Sequence, residues 1–283
     1  MIRLLVDSSA DFSKAEIEEK KLLFVPLQVT IEDKNYLDGI DIFTNEFYEK
    51  MIATDGFFKT SQPSPQQFLD HFQKAKENND TLICVLISSA LSGTIQSAIL
   101  AKNIVEYDNI YIVDALTTTV GIRVMIDKAI EMIKEGKEAQ EIVTYLEKMR
   151  SHIKILAAVD TLEYLCKGGR VSKTTAAIGE MANIKPIVTV SLDGKVDVIG
   201  KRLGINKTIS YIWSKMEEFK IDKNYPIYSL FTYGTENCEK LEARFEKNGI
   251  KASGRLQIGP TIGTHVGPGA FGVCFVEEFL KTF

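Results

Sequence analysis

Hydroxyl side chains gather at three places in the chain, each just after a short apolar run. Asp7-Ser8-Ser9 follows Ile2–Val6, Ser88-Ser89 and Ser92-Gly93-Thr94 follow Leu82–Ile87, and Asp114 with Thr117-Thr118-Thr119 follows Ile110–Val113. In open α/β sheets, ligands bind in the crevice beyond the carboxyl ends of the strands, which is where these loops fall. Ser92-Gly93-Thr94 also opens a predicted helix, whose free N–H groups and dipole favour a carboxylate or phosphate. Local pattern leaves two readings of Ser92 open: a helix cap worth about 1 kcal/mol, or a donor to a bound anion. Thr60-Ser61-Gln62-Pro63-Ser64 is a second polar loop leading into a helix. Capping accounts for Ser64 and ring geometry for Pro63, which leaves Thr60 and Ser61 either as solvated loop residues or as ligand contacts.

His265 is one of three histidines and stands in a glycine-rich stretch, Ile258-Gly259-Pro260-Thr261-Ile262-Gly263-Thr264-His265. So few side chains would let backbone approach a ligand, with the imidazole donating to an anion; an ordinary structural histidine is the alternative. Lys167-Gly168-Gly169-Arg170 reads as a helix end followed by displayed cations. With Lys201 and Arg202, Arg170 could neutralise a phosphate or dock an acidic partner.

Other chemistries are disfavoured by pattern. Gly267-Pro268-Gly269-Ala270-Phe271-Gly272 matches G-x-G-x-x-G, yet a β-like run rather than a helix follows it, so dinucleotide binding is rejected. There is no P-loop motif and no G-x-S-x-G elbow. The histidines and the four cysteines (Cys84, Cys166, Cys238, Cys274) lack metal-ligand spacing, which predicts reduced thiols, no metal and no cofactor.

The elements that must position these residues alternate strand, loop and helix through the first half, which predicts a parallel sheet with helices on its faces. Ser64, Pro65 and Gln67 form a capping-box start, with Phe68, Phe72 and Ala75 on one helical face. After Ser92 the expected inward face is Ile95, Ala98, Ile99 and Val105. The second half is mixed. Ile153–Val159 reads as a strand, Asp160-Thr161-Leu162-Glu163 as a capping-box helix start, and Leu192-Asp193-Gly194 as the turn of a hairpin. Helical patterns at Thr208–Phe219 and Glu236–Lys247 flank a strand at Ile227–Phe231. The expected organisation is two α/β domains, residues 1–155 with a parallel sheet and 156–283 with a mixed sheet.

The 283 residues, 45% hydrophobic and 25% charged with a net charge of −4, are ordinary globular values that disfavour a nucleic-acid or anionic-membrane surface. The amino terminus lacks an export-signal pattern, and the two uncharged stretches (82–101 and 256–276) are too polar or too broken by glycine and proline to span a bilayer. A cytoplasmic protein is expected.

Taken in order, Asp7-Ser8-Ser9-Ala10-Asp11, Thr60-Ser61-Gln62-Pro63-Ser64, Ser88-Ser89-Ala90-Leu91-Ser92-Gly93-Thr94, Leu165-Cys166-Lys167-Gly168-Gly169-Arg170, Lys185-Pro186 and the 258–269 segment resemble the DegV family of bacterial fatty-acid-binding proteins. The set covers nearly the whole chain. Cys166 is the one departure, at a variable-looking place. The resemblance implies one long-chain fatty acid held between two α/β domains, with Thr60 and Ser92 on the carboxylate, Ser61 and His265 close by, and Gly93 and Thr94 completing the ligand loop. It also implies that Arg170 and Arg202 contact a kinase partner or the phosphorylated head group. A separate fatty acid kinase subunit would supply ATP and metal, and this chain would carry the acyl-phosphate product without catalysing a reaction. The alternative is a stand-alone hydrolase or transferase using Ser92 and His265 on a small acidic substrate.

Overall fold

The computed structural model describes residues 1–54, 56, 58–172 and 183–280. The first domain is built on a parallel sheet with spatial order β2 (Leu23–Val25), β1 (Ile2–Asp7), β6 (Thr81–Leu86) and β7 (Ile110–Asp114). Its strands are apolar at nearly every position because both faces are covered. Leu5, Leu82, Cys84 and Leu86 meet α3 (Pro65–Glu77) and α4 (Thr94–Val105) through Phe68, Phe72, Ala98 and Ala101. The alternate residues Leu4, Val6, Ile83 and Val85 share a cluster with Ile122, Ile126, Ile142 and Leu146 of α5 (Val120–Lys134) and α6 (Ala139–Met149).

α3 starts as its sequence predicts, with Gln67 Oε1 accepting from the Ser64 N–H at 2.8 Å and Phe68, Phe72 and Ala75 buried. In α4 the expected inward face holds for Ile95, Ala98 and Val105, but Ile99 is turned outward with Leu100 and Ile104. Ala98 and Ala101 take the inner side, in one cluster with Phe68 and Phe72 of α3.

Between β2 and α3 the chain makes a second, small sheet, of which only the Gln28–Ile31 strand, within Leu22–Ile31, has the sequence pattern of extended chain or short strands. It has the order β4 (Lys34–Leu37), β3 (Gln28–Ile31), β5 (Phe58–Ser61) and is antiparallel. Val29, Ile31 and Phe58 of this sheet pack on Phe47, Tyr48 and Met51 of α2 (Thr44–Ala53). Ahead of it, α1 (Lys14–Glu19) is closed by a Ser13/Glu16 capping box.

The second domain carries a six-stranded mixed sheet of order β10 (Val196–Leu203), β9 (Ile184–Val190), β8 (Ile153–Ala158), β13 (Phe271–Val276), β11 (Tyr228–Phe231), β12 (Gly254–Gln257). Only the β11–β12 pair is parallel. α8 (Ile205–Met216) and α9 (Glu236–Lys247) cover one face through Ile212, Trp213, Leu241 and Phe245. The β9–β10 hairpin turns at the expected Leu192-Asp193-Gly194, closed by the Ser191 N–H donating to Lys195 O at 2.8 Å. A division at 155/156 would fall inside β8, which belongs wholly to the second sheet. The capping box expected at Asp160 does not form. Thr161 Oγ1 accepts from the Glu163 N–H at the start of α7 (Glu163–Lys167), while Asp160 pairs with Lys185.

The other face of the second sheet turns toward the first domain. Ile155, Val188, Leu230 and Ile258 share one apolar cluster with Val6, Ile83 and Val113. The glycine-rich stretch, read from sequence as open backbone, folds into the short helix α10 (Pro260–Val266) that packs where the two domains and the small sheet meet. Gly263 allows this approach: a Cβ there would stand 2.4 Å from the Tyr48 hydroxyl.

Candidate functional site

A chamber of about 80 Å³ lies between the two larger sheets. Apolar side chains make most of its wall: Ile87 and Leu91 from the first domain, Ile155, Ala157, Val188 and Leu230 from the second sheet, and Ile262 and Val266 from α10. Polar residues line it at Thr60, Ser92, Thr118, Thr119, Arg170, Thr189, Thr261 and His265.

Thr60 reaches the chamber because strand alternation turns it opposite to Lys59 and Ser61, which are exposed. Its Oγ1 lies 2.7 Å from His265 Nε2. The His265 ring is nearly buried, and burial first and the nearby Arg170 charge second lower its pKa from 6.5 to about 3. It is therefore neutral at physiological pH. Its Nδ1 has no hydrogen-bond partner among the described residues and is pressed against Gly168, where a Cβ would come within 2.1 Å.

Ser92 sits one residue before the Gly93 cap of α4, its Oγ 2.8 Å from Thr94 Oγ1 and accepting from the Thr94 N–H at 3.3 Å. It is thus both a local cap and a chamber hydroxyl. Gly93 leaves room for the Gln62 amide, which a Cβ would strike at 1.8 Å, and Gln62 Nε2 in turn donates to Ser97 Oγ at 3.0 Å. Thr94 itself is fully buried beneath the loop and does not line the chamber.

Arg170 spans the two domains at the chamber wall. Its Nε and Nη2 donate to Leu91 O at 3.0 and 2.7 Å, and its Nη1 to Gly168 O at 2.6 Å. The guanidinium is thereby committed to holding the wall as well as supplying charge. Arg202 is elsewhere. It stacks 3.8 Å over the Tyr211 ring and lines an open surface groove with Asn206, Lys207, Ser210 and Ser214. The structure thus gathers Thr60, Ser92, His265 and Arg170 around one space, and leaves Ser61, Gly93, Thr94 and Arg202 outside it.

Two buried acids support the site, Asp38, which the sequence reading missed, and Asp7, which it placed in a hydroxyl loop. Asp38 is buried and accepts from both the N–H (3.1 Å) and the hydroxyl of Thr261, fixing the start of α10. Burial raises its pKa to about 6 against the lowering effect of those bonds. Asp7 is likewise raised to about 6 by burial, although it accepts from Ser9 and from the Ile87 N–H at 2.8 Å. Their shared signal was acids in otherwise apolar surroundings near the hydroxyl loops. Among the described residues no group of three or more His, Cys, Asp or Glu could hold a metal ion, and no helix is long and apolar enough to cross a membrane.

Fold and chamber together define the class: a two-domain α/β protein enclosing a mostly apolar small-molecule space between its sheets. The chain belongs to the DegV family, whose family model (an uncharacterised protein, by its description) matches residues 1–278. It is 34% identical over 279 residues to a DegV domain-containing protein of Caldanaerobacter subterraneus subsp. tengcongensis, covering 98% of this chain and 99% of that one. In structure it is similar to a fatty-acid-binding DegV family protein of Thermus thermophilus, with TM-score 0.87, 28% identity and coverage of 98% and 99% of the two chains. A stearic-acid-binding protein of Eubacterium ventriosum is similar with TM-score 0.86, 26% identity and coverage of 98% of each chain.

Proposed function

We propose that this protein binds one long-chain fatty acid in the chamber, its carboxylate at Thr60 and Ser92 beside His265. The observation that carries the reading is an apolar chamber whose polar side chains include the Thr60–His265 pair. A buried methylene contributes roughly 0.8 kcal/mol, so a tail of about sixteen carbons supplies on the order of 10 kcal/mol before ordering costs. A carboxylate taken into such a space must meet donors. Neutral His265 can donate its Nε2–H to Thr60 Oγ1, which frees the threonine proton for the carboxylate; this fixes the imidazole as the Nε2–H tautomer and leaves Nδ1 bare. The fatty-acid-binding relatives of similar fold support the same reading.

In this reading the chain is not itself an enzyme. It presents its bound acid to a separate ATP-dependent fatty acid kinase subunit and carries the acyl-phosphate away. Arg170 and the Arg202 groove are then contacts for the phosphorylated head group or the partner. The hydrolase alternative lacks support in the geometry: the His265 Nε2 contact is Thr60 rather than Ser92, and among the described residues no carboxylate orients its Nδ1.

Native and denaturing mass spectrometry of the purified protein tests the reading, followed by titration of a Thr60→Val/Ser92→Ala double variant. One fatty acid per chain, with affinity lowered at least tenfold in the folded double variant, is the expected result. Unchanged affinity in the double variant would sink the carboxylate site, and failure to take up added fatty acid would sink the function. Added partner kinase and ATP should convert the bound acid to acyl-phosphate, with no turnover by the chain alone.

A further inference from the structure

The three consecutive threonines after β7 have different surroundings. Thr117 is folded under the start of α5, where a Cβ on Gly121 would stand 2.4 Å from its Oγ1. The Thr119 hydroxyl acts on the buried Asp11 carboxyl. Thr118 lines the chamber, and its buried Oγ1 has no hydrogen-bond partner among the described residues.

The loop holds Thr118 firmly in that place. Thr119 takes φ 47° and ψ −128°, and Leu116 φ 48°, both unfavourable for residues with a Cβ. The Thr119 N–H is bonded to Ser9 O at 2.9 Å, and Thr117 O accepts from the Ser88 N–H at 3.0 Å. The segment is tied to Ser9 and to the Ser88 end of the 88–92 loop. A valine would fill the same space with no bare hydroxyl. A buried hydroxyl without a partner is unfavourable, and a ligand group that pairs with it gains selectively over one that does not.

We propose that the Thr118 hydroxyl reads a hydroxyl on the hydrocarbon chain of the ligand, so that the preferred ligands of this chamber are chain-hydroxylated long-chain fatty acids. The inference rests on the fatty-acid reading above and adds to it a second polar contact, distinct from the carboxylate end. A chain hydroxyl can donate to Thr118 Oγ1 or accept from it, whereas a plain methylene leaves it bare.

The test is competitive binding of stearic acid against a positional series of monohydroxystearic acids, in the wild type and in Thr118→Val and Thr118→Ser. In the wild type one hydroxyl position should bind tighter than stearic acid by roughly two- to tenfold. Thr118→Val should reverse that preference, read as the ratio of the two affinities, because the ligand hydroxyl then meets an apolar wall; Thr118→Ser should keep it. The proposal is overturned if no position outcompetes stearic acid in the wild type, whatever the variants do. It is also overturned if Thr118→Val keeps the preference, or weakens both acids equally, which would put Thr118 at the head group or in the fold. If the wild type fails to bind stearic acid and the hydroxy acids alike, the fatty-acid reading itself has failed.

Discussion

Gly168 lies against the His265 ring so closely that a Cβ would stand 2.1 Å from Nδ1. Its backbone is ordinary right-handed, at φ −74° and ψ −9°, so space rather than conformational freedom requires glycine. Gly168 also accepts from Arg170 Nη1, which makes this short helix end the support of both the imidazole and the guanidinium.

Gly168→Ala should therefore push the imidazole off Thr60 while costing the helix end little. Fatty-acid affinity is expected to fall about tenfold, the value of one well-made hydrogen bond, with an unchanged far-ultraviolet spectrum. Titration beside circular dichroism checks it, and unchanged affinity would show that His265 position does not matter for binding.

The neutral state of His265 has a consequence for stability that is opposite in sign to that of Asp38. The histidine pKa is lowered from 6.5 to about 3, so between those values the unfolded chain holds the extra proton and stability falls as pH falls. Asp38 is raised from 3.8 to about 6; its protonated form contributes stability that is fully present below about 4 and lost as pH rises through about 6. Relative to His265→Asn, the wild type should lose stability on acidification from pH 6.5, with a slope of at most about 1.4 kcal/mol per unit. Relative to Asp38→Asn it should gain stability on acidification from pH 7 to 4. Urea denaturation of the three proteins across that range separates the two signs.

Much of the architecture was legible because burial leaves a local trace. The alternate inward and outward partners of Leu4, Leu5 and Val6 produce the unbroken apolar run that identified a parallel strand, and Gly194 marked its hairpin turn. The small β4-β3-β5 sheet left a weaker trace: Leu22–Ile31, which holds β3, has the pattern of extended chain or short strands, but Lys34–Leu37 is half exposed and its pairing with Gln28–Ile31 is not legible. Candidate site residues divide in the same way. Ser92 and His265 stood out by type, but what separates Thr60 from Ser61 is the face of β5, set by pairing with β3 at Val29 and Gln28. Arg170 and Arg202 look alike in sequence. One is brought to the chamber by Leu91 O and the other to an outer groove by Tyr211, and only long-range packing distinguishes them.

Arg170 supplies a prediction that contradicts a purely partner-facing role. Its fork joins Leu91 of the first domain to Gly168 of the second, so Arg170→Ala removes three donor contacts and leaves two carbonyls without them. A loss of about 2–3 kcal/mol of stability and a weaker hold on fatty acid should appear together. Arg170→Lys should recover only part of either, because an ammonium cannot reproduce the planar fork. Thermal unfolding and ligand titration on the same samples decide it: full affinity in Arg170→Ala would return the residue to the partner-contact role alone.

A last prediction concerns how the ligand leaves. Ser88 of the first domain donates to Gly194 O at 2.8 Å, tying the tip of the β9–β10 hairpin across the domain junction. That hairpin contributes Val188, Thr189, Val190 and Val196 to the chamber wall, so its tip must lift for the wall to open on this side. Gly194 has φ +78°, and a Cβ there would come 2.1 Å from Ser88 Oγ; Gly194→Ala meets both the left-handed penalty of about 1–2 kcal/mol and the clash. Ser88→Ala removes the bond without the clash, at about 1 kcal/mol. Both variants should release fatty acid faster, Gly194→Ala by roughly tenfold and Ser88→Ala by less, while association changes little. Stopped-flow displacement of a fluorescent fatty acid reads both rates. Equal dissociation in all three proteins would mean that the ligand leaves by a path this hairpin does not guard.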